Sequence, residues 1–278
     1  MNPLNTWPLQ AIQRIAGVFT DIDDTLTTDG AITPDALAAL GALKTAGLAV
    51  VAVTGRPVGW SEPFARSWPV DAIVAENGAV LLQKTSKNDL SGSVCVGETL
   101  SKSYQQDAAT RSANFARMQQ VARRVLHQVP GAMLAQDSPG RETDMAIDHS
   151  EFTSLPPEHI ARVVAIMQNE GMHATVSSIH INGWFGTHNK LEGARWATRT
   201  LYGRDLDAEL HAWVYVGDST NDQLMFKTLA NSVGVANIER FLPALNNKPR
   251  YVTQGARGAG FAQVAAVILA ARQTLAAA

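Results

Sequence analysis

The sequence predicts an α/β protein: a doubly wound parallel sheet with an α+β segment inserted into it. Three observations carry that expectation. Short apolar runs that end in polar clusters alternate with helical patterns as far as Leu82, and again after Gly186. Between them the pattern changes to α-β-β-α-β-β with hairpin-like connections. The chain has 278 residues, 46% hydrophobic and 17% charged, enough for about two domains and an ample core.

The elements follow in order. Ala16 to Thr20 is an apolar run ending in Asp21-Ile22-Asp23-Asp24. Pro34 to Thr45 has helical spacing, with Leu37, Leu40 and Leu43 expected on one side, Thr33 placed to cap it and Gly47 ending it. Leu48 to Val53 and Ala72 to Ala75 read as strands covered on both faces. Glu76-Asn77-Gly78 then favours a hairpin turn into Ala79 to Leu82.

Gln83 to Ser103 is polar, and a long amphipathic helix carrying Phe115, Met118, Ala122, Val125 and Val129 follows. Two short strands, 132–136 and 142–148, a helix over 157–169 and two strands, 174–178 and 179–185, complete the insertion. After it come a helix from Asn189 to Tyr202, a strand at 212–216 and Gly217-Asp218. A helix at 221–229, a strand at 232–235, a short strand near Tyr251 and a terminal helix close the chain.

Composition excludes several function classes. Lys plus Arg number 23 against 25 Asp plus Glu, with no basic run, so nucleic acid is not an expected partner. The apolar segment Ala259 to Ala271 is short of a bilayer span, and Met1 to Gln10 lacks the pattern of a signal peptide. A cytoplasmic protein with no membrane partner is therefore expected. One cysteine, Cys95, excludes an intramolecular disulfide and reads as a small hydrophobe. The oligomeric state is not legible.

Chemistry concentrates at strand ends. Asp21, Asp23 and Asp24 repel one another unless a cation neutralises them, which points to a hard divalent metal with oxygen ligands. Gly217-Asp218-Ser219-Thr220-Asn221-Asp222 is a second acidic cluster after an apolar strand, and ligands bind outside the carboxyl ends of parallel strands. Thr54 and Gly55 lie at a third strand end, where a hydroxyl and amides suit a phosphate oxygen. Lys190, just inside a helix start, supplies the cation that a transferring phosphoryl group needs.

Asp21-x-Asp23-x-Thr25, Thr54, Lys190 and Gly217-Asp218-x-x-Asn221-Asp222 together resemble the four ordered motifs of the haloacid dehalogenase (HAD) superfamily. The inserted segment is similar to the cap of subfamily IIB, which includes Cof-type sugar phosphatases, sucrose-phosphate and trehalose-phosphate phosphatases, mannosyl-3-phosphoglycerate phosphatase and eukaryotic phosphomannomutase. The resemblance implies a Rossmann-like core over 1–83 and 187–278, with a cap over 84–186.

It further implies a phosphomonoester phosphatase acting on a small phosphorylated metabolite, a sugar phosphate above all. Asp21 would be the nucleophile and become an aspartyl phosphate, and Asp23 the general acid and base. Asp21, the Asp23 carbonyl and Asp218 would hold Mg2+, with Asn221 and Asp222 orienting that shell from behind. Thr54, Gly55 and Lys190 would bind the phosphoryl group. Dehalogenases of the superfamily lack the second acid and pump ATPases replace it with Thr, so Asp23 aligns the chain with phosphatases and mutases. A phosphomutase, or a regulator that has lost catalysis, are the alternatives.

One departure is Asn189 before Lys190, where the family usually carries Asp. Period-two alternation sets Met145 and Ile147 against Asp144 and Asp148, and Ile179 and Ile181 against His180 and Asn182. The polar face makes Asp148, His180 and Asn182 candidate substrate contacts. Arg141 is the candidate for a second anionic group, and Arg56 and Asn77 join them from the core strand ends.

Overall fold

The computed structural model describes residues 1–86 and 98–276, so Cys95 lies outside the described residues. Its larger sheet has nine strands. In spatial order they are Asn2–Pro3, Tyr251–Val252, Asn231–Gly234, Trp213–Gly217, Gly17–Thr20, Ala49–Val53, Ala72–Ala75, Val80–Ser86 and Glu98–Tyr104. Neighbours as far as Ala72–Ala75 pair in parallel, and the last two strands extend the sheet antiparallel.

Alternate residues of the central strands feed two separate cores, which is why these runs read as continuously apolar. Val18, Val50, Ala52, Ile73, Val214 and Val216 pack with residues of the helices Pro34–Thr45, Val58–Ser67 and Arg257–Ala276. Phe19, Val51, Val53, Val74 and Tyr215 pack on the other face with residues of the helices Lys190–Tyr202 and Gln223–Thr228. Phe19 stacks on Trp213 with ring centroids 4.6 Å apart.

Some local expectations change. The buried stripe of the helix Pro34–Thr45 is Ala36, Ala39, Leu40 and Leu43, while Leu37 is exposed, because the core takes an i, i+3, i+4, i+7 face. Thr33 makes no side-chain cap, and its carbonyl accepts from Leu37 N instead. Phe115 is also exposed on its helix.

The larger correction concerns residues 83–104. The expected boundary after residue 83 cuts through the strand Val80–Ser86, and Glu98–Tyr104 pairs along it from Val80↔Tyr104 to Ser86↔Glu98. The core sheet therefore reaches residue 104. The strand Glu98–Tyr104 is polar because it ends the sheet: Lys102 pairs with Glu62 and Glu142 while Leu100 and Tyr104 pack on the core.

The remaining segment is the expected α-β-β-α-β-β: Ala108–Gln128, Met133–Leu134, Met145–Asp148, Pro157–Asn169, His173–Val176 and His180–Trp184. Its strands form a separate antiparallel sheet. Met145, Ile147 and Ile181 pack on Met118, Val125, Val163 and Met167 of the two helices. Each such side chain contributes roughly 1.5–3 kcal/mol by leaving water. The opposite face, with Asp144, His180 and Asn182, is not solvated as a free face would be; these residues are buried. Among the described residues, no helix is long and apolar enough to cross a membrane.

Candidate active site

The parallel strands bring both acidic clusters to one sheet edge. Asp21 follows Gly17–Thr20 and Asp218 follows the adjacent strand Trp213–Gly217, and Asp21 N donates to Val216 O at 2.8 Å. Asp21, Asp218 and Asp222 are buried, and each offers a carboxylate oxygen within 4.8 Å of the others. Lys190 Nζ lies 2.9 Å from Asp21 Oδ1 and 2.7 Å from Asp222 Oδ1. Lys190 is aimed there by its helix start, where Asn189 Oδ1 accepts from Leu191 N and Glu192 N. Asn189 thus serves as the helix cap, a role an Asp in its place would also fill.

Asp222 is saturated. It takes Lys190 Nζ and the Tyr215 hydroxyl on Oδ1, and the N–H groups of Asp218 at 2.9 Å and Ser219 at 3.1 Å on Oδ2. Gly217 permits this, since a Cβ there would stand 2.4 Å from Asp222 Oδ2. Asp222 therefore braces the loop and the lysine. Asn221 turns elsewhere: its Oδ1 accepts from Ser219 Oγ at 2.9 Å.

Asp218 is different. Its Oδ2 accepts from Asn237 at 3.0 Å and Arg240 at 3.4 Å, but its buried Oδ1 has no partner. Burial, reinforced by Asp21 and Asp222, raises the Asp218 carboxyl well above its ordinary value. Burial likewise pushes Asp21 up to about 7, with Lys190 opposing and Asp222 and Asp23 adding to it. An orphaned carboxylate oxygen, raised acid pKa values and an all-oxygen donor set fit a hard divalent cation at Asp21 and Asp218.

Thr54 is buried, and its hydroxyl accepts from Arg56 N at 3.0 Å, which leaves its proton to give. The Gly55 carbonyl accepts Arg141 at 3.0 Å and Asn182 at 3.3 Å. Arg56 holds Asp23 through Nε at 2.9 Å, Asp137 at 3.1 Å and Glu151 at 2.7 Å. Asn77 donates to Asp144 at 3.3 Å.

These contacts correct the expected substrate set. Arg141 is buried against Asp137 and Asp144, and Asn182 is spent on Gly55 O and Asp144. His180 pairs with Glu151 at 2.8 Å. Asp148 accepts the N–H groups of Ser150, Glu151 and Phe152, so it shapes a loop. Arg141 and Asn182 tie the inserted segment to the core at Gly55 O, while Asp148 and His180 are paired within that segment. Burial dictates this outcome, because polar groups removed from water must find partners.

What remains open is a cleft of about 640 Å³. Asp23, Asp24 and Arg56 line it with Glu151 and Phe152 from the inserted segment and Arg240 and Arg257 from the chain's last part. Sequence reasoning missed Asn237, Arg240, Arg257, Glu76 and Glu151. Asn237 had a usable signal, since it follows the strand Asn231–Gly234 at the same sheet edge. Glu151 had none.

Comparisons with known proteins agree on the architecture. The family model described as haloacid dehalogenase-like hydrolase matches residues 18–120. No curated protein sequence matches the chain. Among solved structures, a Thermoplasma acidophilum protein is 16% identical with a TM-score of 0.66, covering 91% of this chain and 98% of its own. The sucrose-phosphatase of Synechocystis, solved with sucrose and phosphate, is 15% identical with a TM-score of 0.61, covering 92% and 98%. A HAD subclass IIB sugar phosphatase is 15% identical with a TM-score of 0.57, covering 94% and 98%. At these identities the likeness establishes the fold.

Proposed function

We infer that this chain, a haloacid dehalogenase-like hydrolase by its matched segment and its fold, is a Mg2+-dependent phosphomonoester phosphatase for a small phosphorylated metabolite of the sugar phosphate class. The observation that carries the reading is the buried Asp21–Lys190–Asp222 chain beside the unpartnered Asp218 Oδ1. A nucleophile, a fixed cation and an oxygen-donor metal site at one sheet edge are the parts phosphoryl transfer needs.

Asp21, Asp218 and the backbone carbonyl of Asp23 would hold the metal, which supplies positive charge to the transferring phosphoryl group. The Asp21 carboxylate attacks phosphorus, and the bond from phosphorus to the alcohol oxygen breaks. Asp23, facing the cleft, gives its proton to that oxygen. Water then attacks phosphorus of the aspartyl phosphate, Asp23 takes its proton, and inorganic phosphate and free Asp21 result. Lys190, the Thr54 hydroxyl and the Gly55 N–H bind phosphoryl oxygens throughout. Asp222 acts by holding Lys190.

The α-β-β-α-β-β segment serves as the cap, closing the site from Glu151 and Phe152. Phosphate release from p-nitrophenyl phosphate and from a panel of sugar phosphates, with Mg2+ and after chelation, tests this function. Release that ceases on chelation supports it; a chain inert toward the whole panel, or equally active after chelation, contradicts it. Formation of an isomer instead of phosphate would make the chain a mutase.

A further inference from the structure

We propose that Arg240 and Arg257 bind a second anionic group on the leaving-group side of the substrate, so that the preferred phosphomonoesters carry a carboxylate or another phosphate. The proposal rests on the phosphatase reading above and narrows its substrate class.

The cleft opens directly on the chemistry. Asp23 lines it, and Arg240 Nη2 lies 3.4 Å from Asp218 Oδ2, so an alcohol protonated by Asp23 extends toward both arginines. Three arginines line the cleft, and their availability differs. The Arg56 side chain is 5% exposed and divided among Asp23, Asp137 and Glu151. It has no charge to spare.

Arg240 and Arg257 have side chains 44% and 34% exposed, and they converge on one carboxylate. Arg240 Nη2 lies 2.6 Å from Asp24 Oδ2, and Arg257 Nε lies 3.0 Å from Asp24 Oδ1. The next acid, Asp29, is 3.8 Å from Arg257 and its side chain is 89% exposed, too solvated to neutralise it. Asp218 faces the proposed metal site. Among the described residues Arg240 meets Asp24 and Asp218 through Nη2 alone, so its exposed guanidinium keeps donors for an incoming anion although Asp24, Asp29 and Asp218 offset much of the charge of the pair.

The wall is also held in place at a cost. Asp24 and Arg257 both adopt left-handed backbone, with φ of 53° and 52°. Asn237 fixes both, donating to Asp24 O at 3.0 Å and accepting from Arg257 N at 2.8 Å. Two non-glycine residues in left-handed backbone, ion-paired on one wall of the cleft, mark a constrained arrangement. A fixed pair of guanidinium groups suits the planar or tetrahedral oxygens of a carboxylate or phosphate.

The test compares two ligands on one skeleton, fructose 1,6-bisphosphate and fructose 6-phosphate. Their dissociation constants are measured by calorimetry with Mg2+ on the Asp21→Asn protein, where turnover does not interfere. The bisphosphate is expected to bind at least about tenfold tighter, a gap of roughly 1.4 kcal/mol. Arg257→Asn, chosen because Asn tolerates left-handed backbone, should bring the ratio close to one. Arg257→Lys should restore part of it. Equal affinities in the parent, or a ratio that survives Arg257→Asn, overturn the proposal. If Arg257→Asn does not fold, a ratio unchanged in Arg240→Gln overturns it equally. The ratio is read from binding, so it decides this proposal even if the wild-type chain releases no phosphate, a result that would strike only the phosphatase reading.

Discussion

The carboxylate of Glu76 accepts the backbone N–H of Thr143 at 2.5 Å, tying a turn of the core sheet to the inserted segment. The same carboxylate also takes Val58 N at 3.0 Å, Glu142 N at 2.9 Å and the Thr143 hydroxyl. Glu76 is fully buried and holds left-handed backbone, φ 48°, as the first residue of the Glu76-Asn77-Gly78 turn. Burial raises its carboxyl above the ordinary value, with the donors opposing that shift. Its removal leaves several buried N–H groups without a partner. Glu76→Ala should lower stability by about 3 kcal/mol in urea unfolding. A loss under about 1 kcal/mol would show that the two sheets are held by other contacts.

Gly217 offers a steric test of the brace. The Cβ of Gly217→Ala would meet Asp222 Oδ2 at 2.4 Å and Tyr215 Cε1 at 2.8 Å, both in buried side chains. Asp222 would have to move off the Asp218 and Ser219 N–H groups. The variant should lose about 1–3 kcal/mol of stability. Phosphatase activity should fall with it, because Lys190 leans on the same carboxylate. Wild-type activity in Gly217→Ala would mean that Asp222 does not position the lysine.

His188 should contribute a loss of stability on acidification. It stacks on Trp184 with centroids 5.6 Å apart, and its buried Nε2 has no partner. Burial, aided by His173, lowers its pKa from 6.5 to about 4. A depressed folded pKa means the unfolded chain binds the proton first, so this contribution is complete above pH 6.5 and is lost as pH falls toward 4. Between pH 7.5 and 5 the wild type should lose about 2 kcal/mol from this residue. His188→Leu should remove that part of the slope. An unchanged slope in urea titrations at the two pH values would refute the assignment.

Much of this was legible in the sequence for identifiable reasons. Asp21, Thr54, Asn77 and Asp218 each end an apolar strand, and a parallel sheet must gather strand ends at one edge. Lys190 was legible because a capped helix start fixes its direction. The strand Glu98–Tyr104 was not, because an edge strand with a solvated lysine lacks an apolar run. Residues of the cap's polar face were found but misassigned. Alternation gives the face on which Asp148, His180 and Asn182 lie, with Arg141 in a nearby turn, but only three-dimensional pairing shows that Asp137, Asp144, Glu151 and backbone groups already occupy them. Arg240 and Arg257 lie more than 200 residues from Asp24, whose carboxylate they share, and no local pattern links them.

The central claim is that Asp21 is the nucleophile of a Mg2+-dependent phosphatase. Phosphate release from p-nitrophenyl phosphate by the wild type and Asp21→Asn, with and without Mg2+, tests it most directly, with thermal unfolding confirming that both proteins are folded. The account predicts release by the wild type only with Mg2+, and a fall of about a thousandfold or more in Asp21→Asn. A folded Asp21→Asn protein that still releases phosphate at the wild-type rate would contradict it.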